Sequence, residues 1–205
     1  MSTEKEFITP RYQVIKEIGQ GGLGKVLEVI DLWEGKTVAL KLHSAQEEQK
    51  EDSLENFKQE FRLTSELSHP GIVEVYDFGY TLDKSAFYTM EMVQGEELTP
   101  EVARPDLNRF YQVVWQICDI LEYLHSQDLV HADLKPSNFK LTGNIFSVKL
   151  LDFGLARKTF SQASSSTAGT LEYMAPEVFL GREIDSRTDL YSLGIILFEF
   201  LTSNV

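Results

Sequence analysis

The sequence predicts an α+β fold in two parts, a strand-rich first half followed by a helical second half. Three observations predict it. Short runs rich in Val and Ile, punctuated by glycine, fill the chain up to Met92. A long amphipathic stretch, Asn108 to Gln127, opens the second half. The composition changes near Gln94-Gly95, which sets a hinge there.

The elements follow in order. Tyr12 to Ile18 and Lys25 to Leu32 read as strands flanking the glycine run Gly19 to Gly24, and Thr37 to Leu42 is a third strand after a Glu34-Gly35 turn. Asp52 to Ser68 reads as a helix, with Leu54, Phe57, Phe61 and Thr64 on one stripe. Asp52 with Glu55 three residues on resembles a capping box, and His69-Pro70-Gly71 ends the helix. Ile72 to Phe78 and Ala86 to Met92 are two further strands. In the second half, Phe110, Val113, Val114, Ile117, Leu121 and Leu124 share one helix face. Phe139 to Thr142 and Val148 to Leu151 are short β pieces. Thr159 to Thr170, rich in Ser, Thr and Ala without apolar periodicity, reads as a flexible loop. Ser186 to Thr202 is the last helix, capped by Asp185 or Ser186.

Composition excludes several classes. At 205 residues, 42% hydrophobic and 25% charged, the chain is an ordinary globular length of one domain, not a disordered one. A net charge of -13, from 32 acids against 19 bases, repels nucleic-acid phosphates and anionic lipid, so no nucleic-acid partner is expected. The single cysteine, Cys118, forms no internal disulfide, which argues against oxidising secretion. Met1 to Pro10 holds no apolar run, so no signal peptide is expected. The longest apolar stretch, Gly194 to Leu201, contains Glu199 and falls short of the ~20 residues that span a bilayer. These features point to the cytoplasm and to no membrane segment in this chain.

Gly19-Gln20-Gly21-Gly22-Leu23-Gly24 fits G-x-G-x-x-G, where glycines let backbone N–H groups approach phosphate oxygens. A dinucleotide-binding reading needs a helix straight after the glycines, but β-type residues follow. A P-loop reading runs into Val26, where a Mg²⁺-binding Ser or Thr is needed. A lid of two strands over phosphates is the third reading, and a plain glycine turn is the fourth. The loop alone leaves these open.

Four more motifs follow it. They are Val38-Ala39-Leu40-Lys41, the run His131-Ala132-Asp133-Leu134-Lys135-Pro136-Ser137-Asn138, Asp152-Phe153-Gly154 and Ala175-Pro176-Glu177. In this order and spacing, from about Tyr12 to Thr202, the chain resembles the eukaryotic-type protein serine/threonine kinases. The resemblance implies a bilobal fold, with an antiparallel five-stranded N-lobe, one long helix and a mainly helical partial C-lobe. It implies a tail over 1–9, an N-lobe over 10–93 and a C-lobe over 94–205. It also implies transfer of the γ-phosphoryl of ATP, with Mg²⁺, to a Ser or Thr hydroxyl of a protein substrate. A pseudokinase, or an ATP-binding scaffold without transfer, is the alternative.

Residue roles come with the resemblance. Lys41 grips the α- and β-phosphates, and a lysine in an apolar strand needs a partner, for which Glu60 is the candidate. Asp152 holds Mg²⁺ and Asn138 serves a second metal site, as oxygen ligands suit that ion. Asp133 orients the substrate hydroxyl and accepts its proton, Lys135 neutralises the transferring group, and His131 packs and hydrogen-bonds. Ile18, Gly19, Gln20, Gly21, Gly22, Leu23 and Gly24 cover the nucleotide, with Val26 and Ala39 as the roof over the adenine. Met90 guards the back of the pocket, while the Glu91 carbonyl and Val93 N–H bond the base edge between the lobes. Phe153, Gly154, Ala175, Pro176 and Glu177 mark the ends of the activation segment, and Lys135 and Thr170 resemble the serine/threonine branch.

Three departures stand out. Ala132 replaces an Arg that in the family clamps an activation-loop phosphate, so activity independent of phosphorylation at Ser164, Ser165, Ser166 or Thr167 is expected. Lys140 stands where an apolar adenine floor is common, and its stem can cover the base while its ammonium reaches out, as in many bacterial relatives. The chain stops at Val205, where the family's C-lobe continues and supplies an Arg to Glu177. Further domains beyond Val205 are therefore expected. An exposed apolar face of Ile195, Ile196, Phe198 and Phe200 and an unstable or poorly active fragment are expected too.

Overall fold

The computed structural model describes residues 6–21, 24–43, 51–100, 106–143, 147–154, 156–159 and 171–202, with backbone alone at 51 and 52. Gly22, Leu23, Ser164 to Thr167 and Thr170, and the Asp52 side chain of the expected capping box, lie outside the described residues. The chain divides into two units, Met1–Ser68 with Val73–Val93, and His69–Ile72 with Gln94–Val205.

The first unit is built on an antiparallel sheet. Its strands are β1 (Phe7–Thr9), β2 (Tyr12–Gly21), β3 (Gly24–Asp31), β4 (Lys36–His43), β5 (Val75–Tyr80) and β6 (Ala86–Met90), in the order β1-β2-β3-β4-β6-β5. The five expected strands are present, and a sixth is added at the edge. Phe7–Thr9 pairs with β2, so residues expected in a tail over 1–9 join the sheet. Period-two alternation assigns the faces. Tyr12, Leu27, Val29, Val38, Leu40 and Phe87 form one apolar cluster. Against the opposite face packs helix α1 (Glu51–Ser65), whose Phe57 is fully buried beside Ala86 and Tyr88. Loss of such a ring costs about 3–5 kcal/mol. The helix ends at Ser65, short of the expected Ser68.

The fifth strand begins at Val75, not at Ile72, because His69–Ile72 belongs to the second unit. There Gly71 O accepts from Leu150 N at 2.8 Å, and Ile72 bridges Leu150 in parallel.

The second unit is organised by two long helices. Helix α2 (Leu107–Ser126) starts at Asp106, whose carboxylate accepts the Arg109 N–H at 2.9 Å. Its buried stripe is Phe110, Val113, Ile117, Ile120, Leu121 and Leu124, so Ile120 takes the place expected of Val114. A sheet of β7 (Glu96–Glu97), β9 (Phe139–Thr142) and β10 (Ser147–Leu150) has the order β10-β9-β7. A second pair joins β8 (Leu129–Val130) to β11 (Arg157–Lys158). After a short helix α3 (Pro176–Phe179) comes α4 (Ser186–Thr202), capped by Asp185, which accepts the Arg187 N–H at 2.9 Å. Ile196 and Phe200 are fully buried, which corrects the expectation of an exposed face through both, whereas Phe198 is exposed. The helical period carries them inward together with Thr188, Asp189, Ser192 and Leu193.

Candidate active site

Gly19, Gly21 and Gly24 of the glycine run lie at the end of a hairpin. β2 and β3 are antiparallel, Gly21 stands opposite Gly24, and no helix follows. The strand–helix arrangement that a P-loop or dinucleotide fold requires is therefore missing here. Gly24 is demanded by space: a Cβ there would lie 1.9 Å from Leu42 O, and its φ is +151°. Ile18, Gly19 and Gln20 are exposed on the same hairpin.

Across the sheet, register places Val26 opposite Lys41, Ala39 opposite Met90, and Lys41 opposite Tyr88. These side chains share the face that α1 covers. Lys41, 9% exposed, donates to Glu60 Oε1 at 2.6 Å, and Glu60 is 2% exposed. The expected partner is thus the observed one, and a buried lysine charge is answered by a buried carboxylate. Glu55, by contrast, lies on the solvent side with Arg62. Met90 packs beside Phe57 and Tyr88, Val93 is buried, and Glu91 N donates to Glu74 O at 2.8 Å.

The second unit holds the other group. Asp133, with a side chain 17% exposed, accepts from Lys135 Nζ at 2.8 Å. Asn138 sits in the 3₁₀ turn Pro136–Asn138 and donates from Nδ2 to Asp133 O at 2.8 Å. That bond fixes the amide so that its oxygen, a hard ligand, points elsewhere. Asn138 O accepts from Leu151 N at 2.9 Å, which holds Asp152 next to this turn. The Asp152 carboxylate accepts the Gly154 N–H at 3.1 Å, and its carbonyl takes the His131 ring. His131 is buried and tilts against the Phe153 ring, the packing role expected of it.

A carboxylate and an amide oxygen on adjacent backbone fit Mg²⁺, which takes few protein ligands and completes its shell with water and phosphate oxygens. Among the described residues no cluster of three His, Cys, Asp or Glu side chains forms a dedicated metal cage.

Sequence reasoning missed two contributors. Asp189, fully buried on α4, accepts His131 N and Ala132 N at 2.9 Å and bonds His125 Nε2 at 2.8 Å. Tyr88 donates its hydroxyl to Glu60 Oε1 at 2.7 Å. Neither lies in the motifs quoted above, and strand register and helix phase bring them in.

In the Ala175-Pro176-Glu177 motif, Ala175 is buried and Pro176 opens α3. Glu177 accepts from Thr188 Oγ1 at 2.7 Å. The preceding 3₁₀ turn, Leu171–Tyr173, is tied to α4 by Tyr173 OH to Glu199 Oε2 and by Ser192 Oγ to Tyr173 O, each 2.8 Å. Burial, then the bond to Glu199, push the Tyr173 phenol well above its usual range.

The chain is similar to known proteins along nearly its whole length. A family model described as the protein kinase domain matches residues 12–205. Serine/threonine-protein kinase pkn3 of Myxococcus xanthus is 35% identical over 208 residues, which take in 95% of this chain and 38% of that protein. Serine/threonine-protein kinase PknA of Mycobacterium tuberculosis is 33% identical over 202 residues, 94% of this chain and 47% of that protein. Serine/threonine-protein kinase A of Synechocystis is 35% identical over 225 residues, 100% of this chain and 43% of that protein. The chain therefore spans less than half the length of these curated relatives.

Proposed function

The chain belongs to the protein kinase family, and from that premise we propose that it transfers the γ-phosphoryl of MgATP to a Ser or Thr hydroxyl of a protein substrate. Members of this family generally use ATP and Mg²⁺. The observation that carries the proposal is the Asp133–Lys135 pair at 2.8 Å, on a loop whose carbonyl Asn138 clamps. A base and a cation side by side suit a reaction in which a hydroxyl loses its proton while phosphoryl charge moves.

In this reading Asp133 orients the hydroxyl and takes its proton, and Lys135 stabilises the charge on the transferring group. Lys41, aimed by Glu60, binds the α- and β-phosphates. Asp152 and Asn138 hold Mg²⁺, which, when bound, neutralises phosphate charge. Ile18, Gly19, Gln20, Gly21, Gly22, Leu23 and Gly24 cover the phosphates. Val26 and Ala39 form the roof over the base, Met90 guards the back of its pocket, and the main chain of Glu91 and Val93 bonds its edge. Phe153, Gly154, Thr170, Ala175, Pro176 and Glu177 frame the activation segment.

The domain reading is an N-lobe over 10–93 and a C-lobe over 94–205, in a longer protein acting in the cytoplasm. No helix among the described residues is long and apolar enough to cross a membrane. The test is transfer of labelled γ-phosphate to a generic basic protein with Mg²⁺, comparing the chain with its Asp133→Ala variant. A loss of about 10²–10⁴-fold is expected. Equal incorporation removes Asp133 as the base, and binding of MgATP without incorporation by either protein returns the pseudokinase reading.

A further inference from the structure

Glu60 Oε1 receives two donors, the Lys41 ammonium at 2.6 Å and the Tyr88 hydroxyl at 2.7 Å. Lys41 and Tyr88 are directly opposed in the β4–β6 register, so adjacent strands deliver both donors from one face. The Tyr88 ring, 3% exposed, tilts against Phe57 at 5.1 Å and Phe61 at 5.8 Å. Those two rings flank Glu60 on α1, three residues before it and one after. The ring is therefore held by the same helix turn whose carboxylate its hydroxyl meets.

A buried phenol needs an acceptor, and a core tyrosine finding one is the plain explanation. Two features go beyond it. The acceptor is the oxygen that also holds Lys41, and phenylalanine would fill the same space with no bond at all. During turnover Lys41 must share its charge between Glu60 and the phosphates of the nucleotide. A second, charge-assisted bond keeps that carboxylate in place while the lysine is shared. From this geometry we infer that Tyr88 is a positioning residue, whose hydroxyl fixes Glu60 and through it the aim of Lys41. The inference rests on the kinase reading above and adds to it a residue outside the motifs quoted above.

Tyr88→Phe in the 205-residue chain removes the hydroxyl and keeps the ring. The expected result is a fall in kcat of about tenfold, the effect of one hydrogen bond to a charged group, with KM for ATP within about twofold. In the Glu60→Gln background the same change is expected to cost no further activity, because the hydroxyl acts through that carboxylate. An unchanged kcat, or losses that multiply in the double variant, overturns the inference and leaves Tyr88 as packing. A readout independent of turnover uses tyrosine labelled with ¹³C at Cζ. The resonance absent from Tyr88→Phe is expected to shift in Glu60→Gln, and one that stays put overturns the inference. If the unaltered 205-residue chain transfers no phosphate, that outcome bears on the kinase reading alone, and this resonance decides whether Tyr88 holds Glu60.

Discussion

Asp189 Oδ1 accepts the backbone N–H of Ala132 at 2.9 Å, and Ala132 sits in the left-handed region at φ +63°. The other carboxylate oxygen takes His131 N and His125 Nε2. Three donors thus answer one carboxylate with no exposed surface, and they fix the turn from which Asp133 projects. Asp189→Ala leaves those donors buried and unanswered, at a cost of about 3–5 kcal/mol. At roughly 2–4 °C per kcal/mol for a chain this size, Tm falls on the order of 6–20 °C. Asp189→Asn also loses stability, because its amide NH₂ must face an N–H donor. Thermal unfolding checks both, and a Tm within 2 °C or so of the parent would show that the loop is held by something else.

The same contact bears on regulation. The loop at Ala132 is held by a carboxylate of the fold, not by a guanidinium that waits for a phosphate. Replacing Ser164, Ser165, Ser166 and Thr167 together by Ala is expected to leave phosphoryl transfer within about threefold of the parent. Steady-state rates of the purified variant measure it. Loss of about a hundredfold or more with unchanged thermal unfolding means that a phosphate acts there, and that a cation other than one at position 132 receives it.

How far these features can be read from the string depends on range. Local patterns succeed: the strands on either side of the glycines and the span of α4 follow from β-type composition and helical period, while the choice of a hairpin over the other glycine-loop readings and of Glu60 for Lys41 comes with the family resemblance. Features fixed by register or helix phase fail. Tyr88 in an apolar strand reads as core until its place opposite Lys41 is known. Ile196 and Phe200 read as part of an exposed apolar face until the rotation of α4 sends them inward. The pair Glu96–Glu97 forms a strand only because β9 lies beside it, since two acids carry no β signal.

Arg11 and Asp31 give a pH test remote from the catalytic groups. The guanidinium meets Asp31 with two bonds, Nε to Oδ1 at 2.9 Å and Nη2 to Oδ2 at 2.6 Å. The hydrogen bonds from Arg11 first, then those from the Trp33 and Glu34 N–H groups, hold the Asp31 carboxyl below its ordinary 3.8. The folded state thus releases this proton at lower pH than the unfolded state. Its contribution is complete above about pH 4, declines as pH falls below that value, and is gone once pH has dropped through the folded pKa. Asp31→Ala is expected to lose about 1.5–3 kcal/mol at pH 7, as for hydrogen bonds to a charged group. The difference from the parent narrows at pH 3 and below. Denaturant titrations at several pH values follow it, and a gap that widens in acid would reverse the sign.

Gly24 and Gly35 separate close approach from backbone conformation. Both hold positive φ, +151° and +66°. A Cβ at Gly35 meets nothing within 4 Å, whereas one at Gly24 meets Leu42 O at 1.9 Å and Leu42 C at 2.9 Å. Gly35→Ala therefore bears only the left-handed penalty of about 1–2 kcal/mol, partly offset by a less flexible unfolded chain. Gly24→Ala adds overlap with a backbone atom that cannot rotate aside, another 1–3 kcal/mol or so, and forces β3 away from β4. That displacement falls where Gly24 pairs with His43, two residues past Lys41. Gly24→Ala is thus expected to lose both more stability than Gly35→Ala and, alone of the two, affinity for MgATP. Equilibrium unfolding and nucleotide titration of the two variants measure this. Equal losses in both would mean that the glycine at 24 is required for its φ alone.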